Sequence, residues 1–232
     1  MFRGRDRRAT VPGGAPQRFP GYDVLAEVPS WDAVTAGVVL ARLGPPPPLR
    51  FFLPHEEAVA GALLDVLLAQ HGEPRVPVLR TVDARLAEQV TDGWRHERMP
   101  PDGEAWRRSV CHLDEDAQVR FGRDFAQLSD DERRGVVQAV QDLAGAADEW
   151  HGLPASWLWS LWTRYACAAF YAHPWAWNEI GFGGPAYPRG YKHLGLDARE
   201  PWEVRDAHPD RDPVREPSPV PGAHPLAAQE PR

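Results

Sequence analysis

Between Pro154 and Ala172 the chain sets apolar side chains almost all round a helical wheel: Trp157, Leu158, Leu161, Trp162, Tyr165, Ala169 and Phe170, with Trp159 on another side. Such a helix is satisfied only when other elements cover it on every side, so it belongs in the centre of the molecule. From Trp157 to Ala172 the run falls short of the about 18 residues wanted for a membrane span, and it contains Arg164. Direct membrane insertion is therefore not expected.

The covering elements are legible as helical periodicities. From Trp31 to Leu43, the residues Trp31, Val34, Val38 and Ala41 approximate one face, and Ser30 can cap the start. Gly44 and the run Pro45 to Pro48 stop that helix and form a stiff strut to the next. Pro54 suits a first helical turn, Glu56 and Glu57 favour its positive end, and Val59, Leu63, Val66 and Leu67 supply a buried face. Phe51 and Phe52 stand where they can staple that start.

A further helix is predicted over Val76–Val90, with Val78, Leu79, Val82, Leu86 and Val90 inward. Another follows over Glu104–Gly122, with Trp106, Val110, Leu113, Ala117 and Phe121 inward. Ser129 stands three residues before Glu132, the capping-box spacing, ahead of Val136, Val137, Val140 and Leu143. No strand alternation of useful length and no internal repeat is visible. The expected fold is all-α: an irregular bundle of five or six helices with a Gly/Pro/aromatic-rich loop after the last long helix and disordered termini.

A chain of 232 residues, 43% of them hydrophobic, can bury one sizeable core. We therefore expect a disordered arm over 1–20, a single helical domain over 21–206, and a disordered Pro/charged tail over 207–232. The net charge of -7 argues against a nucleic-acid binder. The basic cluster Arg3, Arg5, Arg7, Arg8 is interrupted by Asp6, and no apolar segment follows Arg7-Arg8, so neither a secretory nor a complete twin-arginine signal is read. A cytoplasmic location is expected, with Cys111 and Cys167 as reduced thiols.

The stretch Tyr171–Tyr191 leaves directly from the central helix. It holds seven aromatic or imidazole side chains, four glycines and three prolines in 21 residues. That mixture cannot continue a long helix. Loops are usually small and polar, so one loaded with large aromatics is either a lid over the core or a recognition surface.

Catalytic readings of the sequence are weak. Gly181-Phe182-Gly183-Gly184-Pro185-Ala186 superficially fits a dinucleotide fingerprint, but no strand precedes it, and Pro185 and Pro188 obstruct the helix that should follow. Cys111 and His112 are neighbours that point about 100° apart on a helix, and the nine histidines are scattered, with His151 and His173 near opposite ends of one helix. No metal site is expected from that spacing. Glu179, Asp148 and Glu149 beside tryptophans are not spaced as a glycosidase pair.

Phe51-Phe52-Leu53-Pro54-His55-Glu56, the segment Phe121 to Ser129, and above all His173-Pro174 through Trp177-Asn178-Glu179-Ile180-Gly181-Phe182-Gly183-Gly184-Pro185-Ala186-Tyr187-Pro188-Arg189-Gly190-Tyr191 resemble the gluconate 2-dehydrogenase subunit 3 family. Leu53 stands where relatives often have Thr. The resemblance implies a non-catalytic small subunit, needed for maturation, stability or export of a separate FAD-containing flavoprotein that oxidises a sugar or alcohol. In some such complexes a cytochrome subunit takes the electrons.

No cofactor, metal or catalytic residue is then expected in this chain. The expected partner-binding residues are His173, Trp175, Trp177, Asn178, Glu179, Phe182, Tyr187, Arg189 and Tyr191, with Ile180 and Phe182 turned inward and Trp175, Tyr187 and Arg189 outward. The alternative is a stand-alone helical enzyme or small-molecule binder whose pocket is walled by Trp157, Trp162 and Trp175. A third reading makes the aromatic loop core alone.

Overall fold

The structure is a computed structural model that describes residues 9–14, 18, 19, 21–190, 195, 198, 200 and 202–204. Within them it holds seven α-helices: α1 (Ala33–Ala41), α2 (Pro54–Leu68), α3 (Val78–Ala87), α4 (Asp102–Phe121), α5 (Asp130–Gly145), α6 (Ala155–Tyr171) and α7 (Pro174–Ile180). A two-stranded antiparallel ribbon, β1 (Glu149–Trp150) and β2 (Leu153–Pro154), joins α5 to α6 and pairs Trp150 with Leu153. The fold is all-α in class, and α6 is its axis. It packs against α2, α3, α5 and α7, and Leu158, Leu161, Trp162, Tyr165, Ala166, Ala169 and Phe170 are buried.

The buried indole N–H of Trp162 at this axis finds a partner. The Trp162 indole N–H donates to Ser109 Oγ at 3.0 Å, and the Ser109 hydroxyl donates to the Ala105 carbonyl at 2.6 Å. Trp157 departs from the expected inward face. It stacks on His96 near the surface, with ring centroids 4.5 Å apart.

The predicted helix starts fare unequally. α5 opens with the reciprocal box: Glu132 N–H donates to Ser129 Oγ at 3.4 Å, and Ser129 N–H to Glu132 Oε2 at 2.8 Å. In α1 the cap is Asp32, which accepts from Thr35 N–H at 2.8 Å, because Ser30 ends a 3-10 segment over Val24–Ser30 and donates its hydroxyl to Glu27 instead. The expected α1 face is also displaced. Val34 is 74% exposed and Val38 53%, whereas Val39 is buried. The side that docks carries Val39 and Ala36, which pack with Val24, Trp31 and Trp177.

α3 ends at Ala87 because Gln89 takes a positive φ of 54°, and Val90 is thereby exposed rather than inward. Phe121, the last residue of α4, is also partly exposed, since Gly122 turns the chain in the left-handed region. At α2 the Glu56 carboxylate accepts from Leu53 N–H at 2.8 Å, and Leu53 has no side-chain oxygen to complete a box. The turn before it is held by Asp83 of α3. This fully buried carboxylate accepts from the N–H groups of Arg50, Phe51 and Phe52 at 2.6, 2.9 and 2.8 Å.

Two apolar clusters result. The larger runs through α2 to α7 around Trp106, Leu113, Val136 and Trp162. The smaller joins Val24, Trp31 and Val39 to Trp177, with Tyr22, Leu25, Val28 and Ala36 packed against it. Of the arm 1–20, residues 9–14, 18 and 19 are described. There Ala9, Val11 and Pro12 are buried, and Gly13 N–H donates to the Pro74 carbonyl at 2.8 Å. The tail 207–232 lies outside the described residues. Among the described residues no helix is long and apolar enough to cross a membrane.

Candidate functional site

The stretch after α6 begins as a helix rather than a loop. His173 caps α7, its Nδ1 accepting from Trp175 N–H at 3.3 Å, and Pro174 occupies the first turn, where its missing N–H costs nothing. Gly181, at φ 70°, closes α7 in the left-handed conformation that glycine adopts freely. A proline start and a glycine stop seven residues apart were present in the sequence; their signal was masked by the aromatics between them.

α7 and the turn after it grip the N-terminal segment. The Asn178 side chain is buried; its Oδ1 accepts from Val24 N–H at 2.8 Å and its Nδ2 donates to the Thr10 carbonyl at 3.0 Å. The buried Trp177 donates its indole N–H to the Tyr171 carbonyl at 2.6 Å and meets Phe182 edge-on at 5.5 Å. Tyr22 donates its hydroxyl to the Phe182 carbonyl at 2.8 Å. Burial, and then the charge of Glu27, push its pKa up to about 12. Gly184 has φ +74°, and a Cβ there would lie 2.5 Å from Trp31 Cζ2.

Arg189 locks the turn onto this segment. Nη1 donates to Glu27 Oε2 at 2.9 Å and Ser30 Oγ at 3.2 Å; Nη2 donates to the carbonyls of Gly183 and Pro185, each at 3.1 Å. Its side chain is only 9% exposed, so the expected outward orientation is corrected: a guanidinium with four oxygen acceptors inside the fold has no reason to face solvent. Ile180 and Phe182, expected inward, are 46% and 40% exposed. The interior they were meant to fill is occupied by Trp31, Trp177 and Val24.

The candidate residues thus divide. His173, Trp177, Asn178 and Arg189 are engaged within the chain. Trp175 is half-buried against the main core and edge-on to His173 at 4.7 Å. Glu179, Phe182 and Tyr187 reach the surface, Tyr187 at 65% exposure, together with Tyr171 and Ile180. Tyr191 lies outside the described residues. Burial holds the His173 imidazole below its ordinary pKa and pushes the Glu179 carboxyl above its own.

The three tryptophans of the alternative pocket are dispersed: Trp162 is fully buried, Trp157 lies on His96 and Trp175 beside His173. A cavity of about 600 Å³ opens elsewhere, lined by Phe51, Arg85, Asp102, Arg107 and Tyr165 among others and by none of these tryptophans. Cys111 and Cys167 are free, exposed thiols, and desolvation followed by hydrogen bonding to Glu115 raises the pKa of Cys111. Sequence spacing gave no hint that His151 would meet His112, because a turn between two-residue strands brings them together.

A family model described as Gluconate 2-dehydrogenase subunit 3 matches residues 54–184, more than half of the chain. The match runs from the start of α2 to Gly184 and so includes α7, while the 3-10 segment and α1 lie before it. A search of curated proteins finds no match, and neither does a search of solved structures.

Proposed function

We propose that this chain, which belongs to the gluconate 2-dehydrogenase subunit 3 family, is the small accessory subunit of a flavoprotein dehydrogenase that carries FAD and oxidises a sugar or alcohol. It binds that partner and contributes no catalytic side chain. The observation that carries the reading is the surface of the stretch within and just beyond the family match: Ile180, Phe182 and Tyr187 stand exposed on a turn whose backbone is fixed from beneath by Asn178 and Arg189. Rigid aromatic anchors of this kind dominate interface energetics, because little side-chain freedom remains to be lost on docking.

The electrons leave through the partner's flavin, and a cytochrome subunit is a further expected member of the assembly. A cytoplasmic location is part of the proposal and is checked by cell fractionation.

Co-expression with a flavoprotein dehydrogenase encoded beside it, followed by pull-down, tests the reading. A stable complex is expected, and Phe182→Ala with Tyr187→Ala should weaken it at least tenfold, about 1.4 kcal/mol. Recovery of both chains as free monomers at micromolar concentration defeats the proposal. The cavity between Phe51, Arg85 and Tyr165 favours a second reading, a small-molecule binder, which predicts ligand-dependent tryptophan fluorescence without any partner.

A further inference from the structure

α4 and the β1–β2 turn bring together a set of metal-donor side chains that the accessory role does not use. His112 and Glu115 are three residues apart on α4, hence on one face. His151 arrives from the other side. The turn between Trp150 and Leu153 has positive φ at both central residues, 49° at His151 and 73° at Gly152, the geometry of a tight antiparallel hairpin. It lays the His151 ring flat on His112, with centroids 4.2 Å apart and an interplanar angle of 3°.

The donors converge on one oxygen. Glu115 Oε2 lies 2.9 Å from His112 Nδ1 and 3.7 Å from His151 Nδ1. One ligand atom from each of the three residues lies within 4.8 Å of the other two. A tetrahedral ion with bonds of about 2.0–2.2 Å needs donor–donor edges of about 3.3–3.6 Å and must lie near both imidazole planes. Binding therefore requires one ring to swing out of the parallel stack while its Nδ1 stays beside Glu115.

A second, independent contact prepares His151 for this role. Its Nε2 lies 2.9 Å from Asp116 Oδ1, and the other Asp116 oxygen accepts the Trp150 indole N–H at 2.9 Å. A carboxylate so anchored favours the proton on Nε2, which leaves Nδ1, 3.7 Å from Glu115 Oε2, as the nitrogen able to ligate. This is the outer-shell arrangement that orients metal-ligating imidazoles.

We propose that His112, Glu115 and His151 form a binding site for a borderline divalent cation, Zn²⁺ above all, which ties the β1–β2 turn to α4. Two imidazoles with a single carboxylate disfavour Ca²⁺ and Mg²⁺, which take oxygen donors. Cys111 Sγ lies 3.6 Å from the other Glu115 oxygen, Oε1, outside this donor set, and water completes the shell. The site is independent of the proposed dehydrogenase partner.

The test uses the full chain, untagged and stripped with chelator, titrated with ZnCl₂ near pH 7.5 by calorimetry, with Co²⁺ as the spectroscopic substitute. One ion per chain is expected, with visible tetrahedral Co²⁺ bands. His151→Asn keeps a residue that tolerates positive φ and, combined with His112→Gln, should abolish uptake. Glu115→Gln, at an exposed position, should weaken it at least tenfold even if the double variant fails to fold. Affinity should fall in acid, because protons compete with the ion for its ligand atoms. No one-to-one uptake by the parent chain, or unchanged affinity in Glu115→Gln, overturns the site.

Discussion

Asn178 and Val24 stand 154 positions apart in the chain and share one buried 2.8 Å hydrogen bond, from the Val24 N–H to the Asn178 amide oxygen. Through that bond the short helix after the central one anchors the start of the 3-10 segment that precedes α1. The other face of the same amide donates to the Thr10 carbonyl and, at 3.4 Å, to Asp23 Oδ1.

Asn178→Ala should therefore detach the N-terminal segment before it harms the main core. The Val24 N–H is left buried without its acceptor, an effect of about 1–3 kcal/mol. Limited proteolysis should cut within residues 9–31 at least tenfold faster, while the far-ultraviolet helix signal persists. Equal cutting rates for parent and variant would count against the clamp.

Asp83→Ala is expected to be the harsher change. Three backbone N–H groups at Arg50, Phe51 and Phe52 lose their common acceptor, the one at Phe52 buried and the other two partly buried, and an unsatisfied buried donor costs about 1–3 kcal/mol. Urea unfolding should show a loss of more than about 1 kcal/mol. Asp83→Asn should recover little, since its amide offers one acceptor oxygen and turns two donors toward donors.

Gly184→Ala should destabilise through backbone and side chain together. At φ +74° any Cβ is strained, and this one would meet the Trp31 ring 2.5 Å away. The strained conformation alone costs about 1–3 kcal/mol. Gly152→Ala has a similarly positive φ with no atom near the new Cβ, so it should cost less. A thermal melt of the pair separates strain from collision, and equal shifts would mean that Trp31 simply moves aside.

Stability should fall in mild acid through His173. Burial depresses its folded-state pKa below the ordinary 6.5. The unfolded chain then binds the proton more readily, so the stability conferred by the neutral ring is fully present above about pH 6.5 and lost as the pH drops through the lower folded value. His173→Asn keeps a capping side chain without titrating. Urea midpoints measured from pH 8 to 5 should decline more steeply for the parent than for the variant, and parallel curves would contradict this.

What was legible in the sequence was what is settled locally. Ser129 and Glu132 cap α5 because both halves of that box lie within one turn. The apolar wheel of α6 forced a central position whatever surrounded it. Asp83 was illegible, since one aspartate on a helix reads as a surface charge until the chain brings residues 50–52 to it. Arg189 was misjudged for the same reason: its acceptors Glu27 and Ser30 are more than 150 positions away. The His112–His151 stack depended on a two-residue turn that no periodicity reveals.

The N-terminal grip on α7 also dictates an order of events on the ribosome. Trp31, Val24 and Val39 are made early, yet the Trp177 that covers them is made some 140 residues later. At about 5–20 residues per second, the segment spends several seconds or more as an exposed apolar ribbon while the main bundle is still being synthesised. It can dock only after α7 has emerged. The cluster around Val24, Trp31 and Val39 thus stays incomplete until α7 supplies Trp177.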